Sequence, residues 1–439
     1  MRSIGWQMPP RAHVAATVVV CVALAVCVYA IASDGLAQWD FQGFCTAAQA
    51  LVSGKNPYLP MRPSPHLHGH LIYPYPPLTL YLFGWTTLVS IGSAKLLWLG
   101  LKLIALMGLT WIWHKDFEQL EINWRIVLFV ALGLNATLLR DLVAGNISTF
   151  EQLGIWFGLS LLLRNRPYWA AVTLACVAQF KLLPVALVGL TLLVKPRDGW
   201  RPFVLGCAVF LGLLALNPLL RPDLTREYLG FFSDPSLDDR GIVDPSSLAF
   251  FRDVIDLTAY SPGLSYNAAS GTKVYIVYLA ALVLVLAAVG WTSRLRPSAN
   301  PRLTLYFGCA LFAVTMPRMK DYSYILMLIP VLFVIRDIAR RAIAPDYFLI
   351  ALVLLIFAQP QQTNVPGLQA LIYMLQAYLP LGLAAFVLIY TLAVMPRARD
   401  ERGQERRQLS IETRRECGRP MEHMKAADSV TTRGIDSAS

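Results

Sequence analysis

The chain has 439 residues, of which 56% are hydrophobic and only 15% are charged. Soluble domains average about 25% charged residues, so this composition excludes a disordered chain and disfavours a soluble enzyme. The net charge of +11 does not indicate nucleic-acid binding, because the cations lie in short clusters between apolar runs, as in membrane proteins that follow the positive-inside rule.

Apolar runs predict an all-α polytopic membrane protein with about 10–12 transmembrane helices. The first run, residues 12–32, lacks a small-residue cleavage site, so we expect an uncleaved span with a cytoplasmic N-terminus. One transmembrane domain is expected over residues 1–395, with external loops at 34–74 and 221–272. A charged, cytoplasmic tail of low hydrophobicity, predicted to be disordered, follows over 396–439.

Two basic connectors, 164–169 and 195–201, have the composition of cytoplasmic loops, although only one apolar run separates them. A chain that leaves and returns on one side must cross an even number of times. Because proline breaks a helix, Lys181 and Pro184 predict two half-helices that enter the membrane and return, with Lys181 near the hinge.

A second parity problem concerns the three apolar runs 75–92, 94–113 and 126–140. Three full crossings from an external loop would place the segment 140–146 in the cytoplasm. The sequence leaves two solutions: either one of the three runs is incomplete, or this segment is cytoplasmic.

The first external loop is the most informative stretch. Apolar residues recur at helical spacing from Phe41 to Val52, which predicts a helix along the membrane surface that ends at Gly54. Asp40 is expected at the N-cap of this helix. It is either only a cap, worth about 1 kcal/mol, or a carboxylate of a functional site.

Four short motifs occur in order along the chain. They are Asp40 before the surface helix, Tyr75-Pro76-Pro77-Leu78, Gly145-Asn146-Ile147-Ser148, and Lys181-Leu182-Leu183-Pro184. In this order they resemble integral-membrane glycosyltransferases of the GT-C superfamily, in particular family 87, the polyprenol-phosphate-mannose-dependent mannosyltransferase-like group. The resemblance extends over residues 12–395 and implies a GT-C-like fold with external juxtamembrane helices.

The resemblance implies a multi-pass hexosyltransferase of the cell inner membrane. Such an enzyme moves a hexosyl group, such as mannosyl, from a polyprenyl-phosphate sugar to a lipid or glycan acceptor on the external face. The donor is a co-substrate, no other cofactor or metal site is expected, and metal dependence stays open. One loop carboxylate acts as general base on the acceptor hydroxyl; we expect Asp40, with Asp34 as the fallback.

Five residues are predicted to bind substrate: Tyr75, Asn146, Lys181, Arg318 and Lys320. A lysine at bilayer depth costs about 2.5–3.5 kcal/mol, so Lys181 is expected to face the carrier phosphate, to act as a hinge, or to pair internally. Arg318 and Lys320 would suit the phosphate, or else belong to a local salt-bridged turn. Asp141 is either a second acid or part of a solvated turn.

Other candidate sites carry weaker signals. His66, His68 and His70 alternate as metal ligands can, but no carboxylate or cysteine lies nearby to complete a site. The seven cysteines form no CxxC pair, so we expect no structural disulfide.

Two other functions compete with the transferase. A lipid-linked oligosaccharide flippase without catalysis would line a passage with charges, yet only Lys102, Glu151 and Lys181 lie inside apolar runs. Polar residues instead crowd the external loops, which favours a one-sided site. A lipid-linked ligase would use external arginines and a histidine, but no histidine stands at the end of a span.

Overall fold

The computed structural model describes residues 10–59, 73–118, 124–195, 197–231, 241, 243–258, 268–293, 300–341 and 366–395. The first eight α-helices are α1 (Pro10–Ser33), α2 (Trp39–Val52), α3 (Ile91–Ile112), α4 (Trp124–Ala144), α5 (Ser148–Leu163), α6 (Pro167–Lys181), α7 (Leu190–Val194) and α8 (Trp200–Leu220). The remaining α-helices are α9 (Pro222–Phe231), α10 (Ser247–Thr258), α11 (Ala268–Ser293), α12 (Pro301–Thr315), α13 (Leu328–Arg341) and α14 (Pro366–Val394). Pro77–Leu88, Leu183–Gly189 and Asp321–Met327 form 3₁₀ helices, and Trp113–Glu118 continues α3 as a π-helix.

The all-α polytopic class is confirmed. Six helices in the described part of the chain are long and apolar enough to cross a membrane, namely α1, α3, α4, α8, α11 and α14. A helix satisfies its backbone hydrogen bonds internally, which a bilayer requires. Several other predicted runs form shorter helices: α5, α12 and α13 have 16, 15 and 14 residues and contribute to the main hydrophobic core.

The predicted hairpin over residues 170–194 is confirmed. Helix α6 ends at Lys181, Leu182 adopts a φ of 42°, and the chain returns through the 3₁₀ helix Leu183–Gly189 and α7. Arg166, before α6, and Lys195, after α7, line the same groove. The hairpin therefore enters and leaves at one end of the bundle, which we call the Arg166 end.

The second parity problem is solved by an incomplete first run. Most of the run 75–92 forms the 12-residue 3₁₀ helix Pro77–Leu88, and α3 begins at Ile91. Tyr75 before it contacts Asn146, and Lys95 after it bonds the carbonyl oxygens of Gly35 and Ala37 at 2.8 Å. Both ends of the 3₁₀ helix thus lie at one end of the bundle, the Asp40 end, together with the segment 140–146.

The helix predicted from Phe41 to Val52 is confirmed as α2, and its apolar face packs on protein. Phe41 and Phe44 are buried, and the Phe41 ring stacks on Trp98 with centroids 4.7 Å apart. Gly54, with a φ of +69°, follows the helix end, where glycine is favoured. Tyr58 bonds the carbonyl oxygen of Tyr75 at 2.9 Å, which ties the loop to the next motif.

The segment before α10 braces the chain between α12 and α13. Ser246 Oγ donates to the Pro317 carbonyl at 2.9 Å, and the backbone amide of Met319 donates to Asp244 Oδ1 at 2.8 Å. These two hydrogen bonds fix the backbone just before Lys320, a residue of the candidate site.

Candidate active site around Asp40

Asp40 is not the N-cap of α2, contrary to the sequence prediction. The helix begins at Trp39, and Gln38 occupies the N-cap with a left-handed φ of 60°. The Asp40 carboxylate instead points to side chains distant in sequence. Its Oδ2 accepts from Asn146 Nδ2 at 2.7 Å and from the Tyr322 hydroxyl at 3.3 Å.

Asn146 lies at the centre of the site and is buried. Its Nδ2 is 2.7 Å from Asp40 Oδ2, 3.2 Å from the Tyr322 hydroxyl and 3.4 Å from the Tyr75 hydroxyl. Its Oδ1 accepts from the amide and hydroxyl of Ser148 at 3.2 and 3.0 Å. Because the amide oxygen is held on one side, the amide nitrogen is directed at the carboxylate on the other.

The turn that carries Asn146 packs closely on the start of α2. Gln38 donates its backbone amide to the Val143 carbonyl at 2.7 Å. Gly145 has a φ of +68°, and a Cβ atom there would lie 2.8 Å from Gln38 Cβ and 3.0 Å from Phe41 Cβ. Only glycine suits both the left-handed backbone and this approach, which brings Asn146 within reach of Asp40.

A buried ion pair between α3 and α4 supports the turn that carries Asn146. Lys102 and Asp141 are both fully buried, with Nζ 2.7 Å from Oδ2. Lys102 also donates to the carbonyl oxygens of Asp141 and Asn146 at 2.5 and 2.8 Å. Asp141 accepts from the hydroxyl of Thr149 as well. The expected solvated turn at Asp141 is therefore wrong, because the residue lies inside α4 facing a lysine of α3.

Lys181 pairs internally while remaining partly exposed. Its Nζ lies 2.7 Å from Glu151 Oε2, and 19% of its side chain is exposed. It donates to Ser148 Oγ at 2.5 Å and to Ser323 Oγ at 3.3 Å, and stands 5.2 Å from the Tyr322 ring centre. The hinge and the internal pair are both confirmed, and binding of the carrier phosphate stays a prediction.

The acid of the cluster 318–322 forms an ion pair with a residue far away in the sequence. Asp321 pairs with Arg140 of α4 at 3.1 Å, 181 positions away in the sequence. Lys320 is close enough for its charge to act on Asp40. Arg318, two residues before Lys320, is half-buried. It is not among the hydrogen-bond donors to Asp40.

The environment of Asp40 makes its carboxylate a stronger base than usual. Burial raises the pKa of Asp40, and the positive charge of Lys320 and the hydrogen bonds from Asn146 and Tyr322 reduce that rise without cancelling it. Burial also raises the pKa values of Tyr75 and Tyr322, and the charge of Asp40 adds to both shifts. These phenols therefore stay protonated, and the phenol of Tyr322 donates to the carboxylate.

Comparison with known proteins decides the family. The model of glycosyltransferase family 87 matches residues 73–317, more than half of the 439-residue chain.

The chain belongs to glycosyltransferase family 87.

This membership shows that the protein is a glycosyltransferase, and with its apolar helices it indicates a multi-pass membrane protein. No curated protein matches the chain.

The family match and the site overlap only in part. Tyr75, Asn146 and Lys181 lie inside the matched range of this family 87 enzyme, whereas Asp40 precedes it and Lys320 follows it. The hydrogen bonds and charges described above bring together the residues before, inside and after the matched range. Tyr322 was missed as a site residue because its position beside Asp40 depends on folding over 282 positions.

The fallback base and the alternating histidines do not take part in the site around Asp40 as the structure describes it. Asp34, the fallback base, is exposed, and its Oδ1 accepts from the Leu36 amide at 2.8 Å in the turn between α1 and α2. The three alternating histidines, His66, His68 and His70, lie outside the described residues. Within the described ranges, no three His, Cys, Asp or Glu side chains are grouped to hold a metal ion.

Proposed function

We propose that this glycosyltransferase moves a hexosyl group from a polyprenyl-phosphate sugar to a hydroxyl of a lipid or glycan acceptor, with Asp40 as general base. One observation carries the proposal. Both hydrogen bonds to the carboxylate go to Oδ2, and among the described residues no donor reaches Oδ1. The carboxylate is thus oriented through one oxygen, and its other oxygen is left for the acceptor hydroxyl.

The chemistry follows from that orientation. The acceptor oxygen attacks the anomeric carbon of the sugar, and its proton passes to Asp40 as the new C–O bond forms. The bond from the anomeric carbon to the phosphate oxygen breaks, and its electron pair leaves with the lipid phosphate. A single displacement of this kind inverts the anomeric configuration. The raised pKa of Asp40 suits the step, because a base is most effective when its pKa lies nearer the working pH.

The leaving phosphate gains negative charge and needs cations or hydrogen-bond donors in place before the reaction. Lys320 and Lys181 are the candidates, and Arg318 remains a third. Lys181 is the better oriented, because Ser148, Ser323 and the Tyr322 ring surround its ammonium group. The carboxylate of Glu151, 2.7 Å from Lys181 Nζ, offsets part of the positive charge of this lysine.

A lipid-linked donor explains why the site is built on membrane helices. Each buried CH₂ of a lipid chain is worth about 0.8 kcal/mol, so a polyprenyl tail stays in the bilayer and the enzyme must meet the phosphate there. The Asp40 end lies opposite the basic connectors, which the positive-inside rule assigns to the cytoplasm. We therefore place catalysis on the external face of a multi-pass protein in the cell inner membrane.

The test uses purified protein in detergent with an acceptor lipid extract and two donor classes. Transfer from polyprenyl-phosphate hexoses, mannose first, and none from the matching nucleotide sugars supports the proposal. Transfer from nucleotide sugars alone contradicts it. Mass analysis of glycolipids after deletion of the gene then identifies the acceptor by the sugar that it lacks.

The flippase alternative makes an opposite prediction. It requires movement of a lipid-linked sugar without any change in its covalent structure, whereas membership in a glycosyltransferase family favours the transferase.

A further inference from the structure

An open groove lies at the Arg166 end of the bundle, away from Asp40. Its lining includes Asn165, Arg166, Tyr168, Trp169, Lys195 and Asp198. The groove forms where the α5–α6 turn meets the end of α7. These two segments are the start and the end of the hairpin that carries Lys181. Its volume is about 570 Å³, within the range of ligand pockets.

The charge of this groove favours an anion. Arg166 and Lys195 face it, and neither has an ion-pair partner within the described ranges, while Asp198 is the single acid of the lining. The neighbouring Arg164 differs, because its guanidinium is bound to Asp116 at 2.7 Å. Two unpaired cations on facing segments can bind one phosphate group through charge-assisted hydrogen bonds.

The aromatic side chains identify the anion as part of a lipid. Tyr168 and Trp169 line the groove and remain 47% and 67% exposed. Exposed aromatic residues beside basic ones at the ends of apolar helices are typical of the membrane–water interface. A free phosphate ion has no apolar part that could pack against these rings, whereas a lipid has acyl chains. From this combination we infer that the groove binds the phosphate head group of an anionic membrane phospholipid, with its acyl chains along the aromatic residues.

Native mass spectrometry of the full-length protein in detergent tests the inference. The probes are dioleoylphosphatidylglycerol, dioleoylphosphatidylcholine and inorganic phosphate. Wild-type protein is expected to retain one phosphatidylglycerol in preference to phosphatidylcholine, and a millimolar excess of inorganic phosphate is expected not to displace it. Equal retention of the two lipids, or displacement by inorganic phosphate, would overturn the inference.

Charge variants locate the site. Arg166→Gln and Lys195→Gln are each expected to weaken phosphatidylglycerol binding about fivefold, the effect of one cation near an anionic lipid surface. The matched control is Lys115→Gln, which removes an exposed cation beside Trp111 at the same end but outside the groove. The charge-preserving variant Arg166→Lys, monodisperse like the others, should retain most of the affinity. Unchanged binding in both groove variants, or an equal loss in Lys115→Gln, contradicts the assignment.

Discussion

Asn146 donates its side-chain amide to Asp40 Oδ2 at 2.7 Å across 106 positions of the sequence. The amide oxygen of the same residue is held by Ser148, so the donor cannot rotate away without losing two further hydrogen bonds. This contact joins the surface helix α2 to the turn between two helices of the bundle.

The Asn146→Ala variant should lose transfer activity, with little change in the yield of folded protein. A hydrogen bond to a charged group is worth about 1.5–3 kcal/mol, which corresponds to roughly a 10- to 100-fold fall in kcat/KM. Asn56→Ala is the matched control, because among the described residues the Asn56 side chain bonds only the local Tyr58 amide. Steady-state transfer kinetics on both variants make the comparison, and an unaffected Asn146→Ala enzyme would show that the amide does not orient the base.

Gly145→Ala should impair both stability and activity. The new Cβ would meet Gln38 and Phe41 at 2.8–3.0 Å and would push α2, with Asp40, away from Asn146. Gly54→Ala is a close control, because Gly54 has nearly the same φ but nothing within 4 Å of an added Cβ. We expect about 1 kcal/mol of destabilisation at Gly54 with normal activity, and a larger effect with lost transfer at Gly145. Similar behaviour of the two variants would argue against the close approach.

Lys320→Gln should change the pH dependence of transfer. The charge of Lys320 lowers the raised pKa of Asp40, so its removal raises that pKa further. A general base works only when ionised, and activity falls about tenfold per pH unit below its pKa. The acid limb of the pH–rate profile is therefore expected to move to higher pH in Lys320→Gln and to stay in place in Lys320→Arg. A higher KM for the donor with an unmoved acid limb would instead assign Lys320 to the phosphate alone.

Lys102→Met should destabilise the protein by about 3–5 kcal/mol, because it leaves the buried Asp141 carboxylate without its cation. The double variant Lys102→Met/Asp141→Leu should recover part of that loss. The exposed pair Arg221–Asp223 is the contrast, and Asp223→Asn should leave the unfolding midpoint nearly unchanged. Thermal unfolding in detergent compares the four proteins. A small effect at Lys102 would mean that the turn holds Asn146 without the ion pair.

Much of the fold and the outline of the site were predictable from sequence. Apolar periodicity predicts α2 and the long helices, and the proline after Lys181 predicts the hairpin, since both signals are local. Short motifs at helix starts point to Tyr75, Asn146 and Asp40 as site residues. The structure adds the direction of each side chain, which no local signal specifies.

The supporting interactions were beyond the reach of the sequence. Lys102 of α3 and Asp141 of α4 lie 39 positions apart, so their pairing depends on how the two helices are placed in the fold, which no local pattern specifies. The N-cap prediction for Asp40 failed for a related reason. Gln38 adopts a left-handed backbone while donating its amide to the Val143 carbonyl, so the helix starts two residues earlier than a capping aspartate at position 40 would require.

Transfer by the Asp40→Asn variant is the most direct test of the proposed mechanism. Asparagine preserves the size of the side chain but cannot accept a proton, so kcat should fall by about 10²- to 10⁴-fold while binding of the lipid-phosphate donor persists. Asp34→Asn, which changes the exposed carboxylate before α2, should transfer normally. A folded Asp40→Asn enzyme with wild-type kcat would contradict the account.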